Sequence, residues 1–142
     1  MMTPTSGRRR PPSPSAPLQL DLPRDVQAPG VARTAVNELC RELALDGKVR
    51  ANLVLLVSEV VSNAVLHSSG PHDAPIGLTA ALGEEAIRIT VTDAGEGFTP
   101  GERDPSRLDG GYGLFLLEKA ATRWGVDPQG PTSVWFEMAL PG

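Results

Sequence analysis

Glu59 and Asn63 stand four residues apart within a run of valines and leucines, a spacing that puts both side chains on one face of a helix. A carboxylate set among Val57, Val60 and Val61 costs several kcal/mol to bury without a partner. Two explanations fit. The plain one is a glutamate capped by Arg88 or a backbone amide, or turned to solvent. The catalytic one is a carboxylate base beside an amide oxygen that ligates Mg2+, a cation that prefers oxygen.

Asp93-Ala94-Gly95-Glu96-Gly97-Phe98 follows directly on the alternating run IRITVT. An aspartate at a strand end can simply close an Asx-turn, with glycines supplying positive φ. It can equally form the floor of a pocket and accept a hydrogen bond from an amino group such as N6 of adenine. Gly95 and Gly97 would then let the backbone approach the ring. Gly110-Gly111-Tyr112-Gly113-Leu114 opens a further apolar run. Glycines at a helix start expose unpaired N–H groups where the macrodipole is positive, which suits phosphate. The same glycines fit a lid hinge or a close helix–sheet contact. Ser133 joins this set only if the last strand lies beside Asp93.

Other chemistries find no residues here. The P-loop pattern is absent, since the Gly47-Lys48 pair is followed by Val49. The H-R-D of ordinary protein kinases is missing as well. His67 and His72 flank Gly70-Pro71 without a cysteine pair, which argues against structural zinc. Cys40, the single cysteine, has no evident base beside it and reads as a buried, inert thiol.

The elements that must position these residues follow from periodicity. Leu18 to Leu22 alternates as a half-buried strand that Pro23 ends. A first helix is expected over 31–45, with Val31, Ala35, Leu39 and Leu43 at helical spacing, broken by Asp46-Gly47. A second helix over 48–68 carries Glu59 and Asn63 on a broad apolar surface. Ile76 to Leu82 and Ala86 to Thr92 read as strands joined by a turn at Gly83-Glu84-Glu85. Residues 93–111 form a long Gly-, Pro- and Asp-rich connection of the kind that is usually functional or mobile. Leu114 to Trp124 is expected as a third helix and Ser133 to Leu140 as a last strand. Helices grouped beside a mostly antiparallel sheet mean a two-layer α+β sandwich.

The chain has 142 residues, enough for one domain with a self-sufficient core. Residues 1–16 (MMTPTSGRRRPPSPSA) have almost nothing to bury and read as a disordered tail, leaving 17–142 as the domain. That tail holds three arginines and no acid, so the remainder carries ten basic against seventeen acidic residues. Such an acidic body lacks the clustered positive charge that nucleic-acid binding needs. The lone cysteine indicates a reducing compartment. No apolar run is read as long enough for a membrane span, and no signal-peptide core is present, so a cytoplasmic protein is expected.

Glu59-x-x-x-Asn63, Asp93-x-Gly95-x-Gly97 and Gly111-x-Gly113-Leu114 occur in that order within one small α+β domain. In this arrangement SEVVSNAVLHS, VTDAGEGF and GGYGLFLLEKAATRWGV resemble the N, G1 and G2 boxes of the GHKL superfamily of ATP-binding domains, most closely its anti-sigma-factor serine kinases. The likeness spans about residues 18–140. It implies the histidine-kinase-like ATPase fold, with ATP and Mg2+ as cofactors. By the same resemblance, Glu59 activates an attacking hydroxyl, Asn63 binds Mg2+ between the phosphates and Asp93 recognises the adenine amino group. Gly95 and Gly97 shape the base pocket. Gly111, Tyr112, Gly113 and Leu114 belong to the phosphate-facing box, and 98–110 would be the lid. Ser133 falls where this branch usually has threonine near Asp93, and would support it through a water. Two departures, Tyr112 where arginine is frequent and Thr132 where lysine often precedes the last strand, remove positive charge near the phosphates. The implied function is phosphorylation of a serine on a small antagonist protein, with a sigma factor as competing partner and homodimers common in the family. The alternative is a non-catalytic ATP-binding module that switches partners, and a third reading is a scaffold that binds no nucleotide.

Overall fold

Residues 17–67, 74–93, 114–127 and 132–141 are described by the structure, a computed structural model. The expected tail over 1–16 and the expected connection and lid between Asp93 and Leu114 lie outside them. The elements run β1 (Leu18–Leu22), α1 (Ala28–Glu42), α2 (Gly47–His67), β2 (Ile76–Leu82), β3 (Ala86–Asp93), α3 (Leu114–Ala120), β4 (Arg123–Asp127) and β5 (Thr132–Ala139). The strands form one sheet in the order β1-β2-β3-β5-β4. Every pairing among the described strands is antiparallel, so the α+β two-layer arrangement holds without a parallel pair.

Strict alternation gives the sheet two unlike faces. Ile76, Leu78 and Ala80 of β2, Ile87, Ile89 and Val91 of β3, and Val134, Phe136 and Met138 of β5 are all buried. Against them α2 sets Leu53, Leu56, Val57, Val60, Val61 and Ala64. The outward rows are half-buried and polar: Arg88 donates from Nε to Glu137 Oε2 at 2.9 Å and stacks over the Trp135 ring at 4.0 Å. Gly125 of β4 lies under the same ring, where an added Cβ would come within 2.8 Å of Trp135 Cζ2.

Three expectations need correction. Helix α1 starts at Ala28 and buries Ala28, Ala32, Val36, Leu39 and Cys40, while Val31 is exposed. The small alanines form the seam on α2, and the turn from Asp25 to Ala28, closed by Ala28 N–H donating to Asp25 O at 3.1 Å, starts the helix early. The helix also ends ahead of Asp46-Gly47, because Ala44 adopts φ 59° and Leu45 N–H donates to Cys40 O at 2.8 Å. Second, the helix expected over Leu114 to Trp124 stops at Ala120 and the chain becomes β4. No glycine or proline marks that change; the aromatic and β-branched run Trp124-Gly125-Val126 pairs with β5 instead. Third, Gly47–Leu66 is by length and composition apolar enough to cross a membrane. Its apolar breadth has a use within the fold, since α2 packs against α1 and the sheet at once.

Cys40 is fully buried, and burial pushes its thiol pKa up, with Arg50 opposing more weakly. The raised value means the folded chain keeps its proton where the unfolded chain loses it. Unfolding then releases a proton, so this contribution is intact below the ordinary thiol pKa and declines as pH rises above it. Urea unfolding at neutral and alkaline pH should therefore show a stability loss that Cys40→Ala reduces. An identical alkaline loss in both proteins would assign it to other groups.

Candidate functional site

The register aligns Leu22, Ile76, Asp93 and Thr132 as one row across β1, β2, β3 and β5. Leu22 and Ile76 are buried apolar side chains, and Asp93 continues their inward row with a carboxylate that is 1% exposed. Asn63 intrudes from the other layer, at a position of α2 flanked by the buried Val60 and Ala64. Among the described residues, Asn63 and Asp93 are the only polar residues buried over the whole residue. Both are residues that the sequence singled out for ligand binding.

They differ in how their polar atoms are satisfied. Asn63 Nδ2 is buried with no hydrogen-bond partner. A lost amide hydrogen bond of this kind costs about 1–3 kcal/mol, more than an apolar residue would. The orphan donor fits a phosphate oxygen or a bound water, and the amide oxygen on the same side chain suits a hard cation. Among the described residues no cluster of three His, Cys, Asp or Glu could form a protein cage for a metal. A Mg2+ ion here would thus take the amide oxygen together with phosphate and water oxygens, its usual preference.

Asp93, by contrast, is paired. Arg24, in the segment between β1 and α1, donates from Nη2 to Oδ1 and from Nη1 to Oδ2, the latter at 3.3 Å. Its Nε donates to Ala74 O at 2.9 Å. The Arg24 side chain is 4% exposed. Sequence reading missed Arg24 because nothing between Pro23 and Asp25 signals a site. Only the register, which places Leu22 two strands from Asp93, brings it within reach.

Glu59 is half-buried, one helical turn before Asn63, and makes no hydrogen bond or ion pair among the described residues. The cap by Arg88 is excluded, because Arg88 is on the outward face and pairs with Glu137 at 2.8 Å. Ser133, expected beside Asp93, is not there. Its Oγ lies 3.0 Å from Thr92 Oγ1, and these partners stand on the outward face. Strand parity is the reason: Thr132 is the residue in register with Asp93, and its neighbour must face the other way. Leu114 is the first residue of α3, where a third helix is expected to begin. Gly95, Gly97, Gly111, Tyr112 and Gly113 lie outside the described residues. A shallow groove along α1, lined by Gln27, Gly30, Val31, Thr34, Ala35 and Glu38, holds none of the candidates. Neither Asn63 nor Asp93 lines that concavity.

The model of one family, described as the histidine kinase-like ATPase domain, matches residues 22–137. A serine-protein kinase RsbW from Oceanobacillus iheyensis is 26% identical over 114 residues, covering 71% of this chain and 72% of the relative. Among solved structures, the RsbU and RsbW domains of a Mycobacterium tuberculosis protein align over 88% of this chain with TM-score 0.69 and 22% identity. A blue-light activated histidine kinase from Erythrobacter litoralis aligns over 78% with TM-score 0.54 and 23% identity. The chain spans 33% of the first of these structures and 40% of the second, and at such identities the likeness is one of fold.

Removing the charge at Asp93 leaves the Arg24 guanidinium buried without its counterion. Asp93→Asn should lower folding stability by about 3 kcal/mol, read from the urea midpoint, the range typical when one half of a buried pair is lost. An unchanged midpoint would mean that the pair is solvated in solution.

Proposed function

The chain belongs to the histidine kinase-like ATPase domain family, and from that premise we propose that it is an ATP-dependent protein serine/threonine kinase of the anti-sigma-factor type. Its substrate would be a serine on a small antagonist protein, with a sigma factor competing for the same kinase. The observation that carries this reading is the pair of buried polar residues, Asn63 with its unpartnered amide and Asp93 at the end of β3. The RsbW relative, itself described as a serine-protein kinase, supports the reaction class.

In this proposal Asp93 accepts a hydrogen bond from the adenine amino group and so selects the base. The amide of Asn63 holds Mg2+ through its oxygen and turns its N–H toward phosphate. When bound, Mg2+ and ATP supply the transferable γ-phosphoryl group and screen its charge. Glu59 has the remaining task. As a half-buried carboxylate one turn from Asn63, with no ion pair among the described residues, it orients the serine hydroxyl and accepts its proton. Gly95 and Gly97 contribute to the base pocket. Gly111, Tyr112, Gly113 and Leu114 contribute to the phosphate end. The setting is a cytoplasmic regulator of transcription that acts as a homodimer through protein partners rather than DNA.

The second reading, a non-catalytic ATP-binding switch, is favoured by Tyr112 where the family frequently has arginine. Phosphotransfer separates the two. Incubation with γ-labelled ATP, Mg2+ and an antagonist encoded beside the kinase should transfer label to the antagonist. Glu59→Ala should abolish that transfer while ATP affinity stays within about twofold, since the carboxylate acts on the acceptor rather than the nucleotide. Absence of transfer from the unaltered protein, with ATP bound, would favour the switch.

Base recognition makes a separate demand. Compared with Arg24→Met, so that the Arg24–Asp93 pair is absent from both proteins, the double variant Arg24→Met/Asp93→Asn should bind ATP roughly ten- to a hundredfold more weakly by calorimetry, the value of a charged hydrogen bond. Equal affinity of the two would remove Asp93 from the base pocket.

A further inference from the structure

Asp93 cannot receive a base as it stands. Both of its oxygens are engaged by Arg24, the carboxylate is 1% exposed, and the arginine that covers it is 4% exposed. The guanidinium is anchored a second time through Nε to the Ala74 carbonyl. Three of its nitrogens therefore hold a fork across the start of β2. An adenine amino group offers one neutral donor, whereas Arg24 offers two charge-assisted ones from a rigid plane. In a direct contest for the same oxygens the nucleobase alone is the weaker party.

From this geometry we infer that Arg24 is an affinity-determining latch that competes with the adenine amino group for Asp93, so that nucleotide enters only when the Arg24–Asp93 pair opens. The inference rests on the reading of Asp93 as the adenine acceptor. Its consequence is a reduced apparent affinity: nucleotide binds the open fraction, and the measured dissociation constant rises by the inverse of that fraction. The phosphate end of the site must provide the free energy that opens the pair. Adenosine, which needs the same open carboxylate, should gain by the same factor as ATP when the latch is lost. Opening also loosens the segment from Pro23 to Gln27 that leads into α1, because Arg24 ties it to Ala74 and to the end of β3. Nucleotide occupancy and the seating of that segment are thereby linked.

The test is calorimetric titration of the unaltered protein and of Arg24→Met with ATP and with adenosine. The methionine keeps an apolar stem of similar length and removes every donor. Arg24→Met should bind ATP roughly ten- to a hundredfold more tightly, as expected when the closed fraction is about 90–99%. Equal or weaker binding by Arg24→Met, with ATP still bound by the unaltered protein, would overturn the latch and leave the ATP reading in place. No ATP binding by either protein would overturn both. A measurement without any variant guards against misfolding of Arg24→Met. In 15N-labelled protein the Arg24 Nη–H groups that bond to Asp93 should exchange slowly with water, and ATP should make them exchange fast. A signal that stays protected at saturating ATP would show that the pair survives binding, and the latch would fall.

Discussion

A carboxylate placed in an apolar row is the constraint around which this end of the molecule is arranged. Leu22 and Ile76 lead the row across the sheet, and the next side chain inward is Asp93. Leaving a charge there without a partner would cost several kcal/mol, a large share of what a domain of this size has to spare. Arg24 answers that cost from outside the sheet, through the segment that connects β1 to α1. The pairing explains why a short, irregular stretch between Pro23 and Gln27 is held against the ends of β2 and β3. It also means that a residue suited to bind a ligand is, in this conformation, satisfied by the protein itself.

Asn63 presents the opposite case. It is equally enclosed, yet its N–H groups find no acceptor. A buried amide whose N–H groups are unmet costs stability, a cost that a bound ligand would offset. Glu59, one turn earlier and half-exposed, is free of ion pairs among the described residues and so can serve an incoming hydroxyl. In the proposed reading the two layers divide the work, with the sheet end for the base and the helix face for phosphate and acceptor.

Much of this could be read from the amino-acid sequence, for identifiable reasons. The alternation of β2 and β3 is strict because one face is buried, so their bounds and Asp93's inward direction follow from parity. The broad apolar surface of α2 and the four-residue spacing of Glu59 and Asn63 follow from helical geometry. What escaped the sequence depends on pairings between distant segments. Arg24 acquires its role only through contact with a residue 69 positions away. Ser133 was misplaced because a shift of one residue along β5 exchanges the two faces, and Thr132 rather than Ser133 stands in register with Asp93. The end of α3 at Ala120 was invisible because alanine, threonine and arginine allow a helix to continue. Pairing of β4 with β5 overrides that local preference.

The position of adenine is decisive. The most direct measurement is a crystal structure of the chain with Mg2+ and a non-hydrolysable ATP analogue. The account requires the adenine amino group within hydrogen-bond distance of Asp93, Arg24 turned away from that carboxylate, and a phosphate or its metal ion at the Asn63 amide. An analogue bound elsewhere, with Arg24 still closed on Asp93 and Asn63 unengaged, would contradict it.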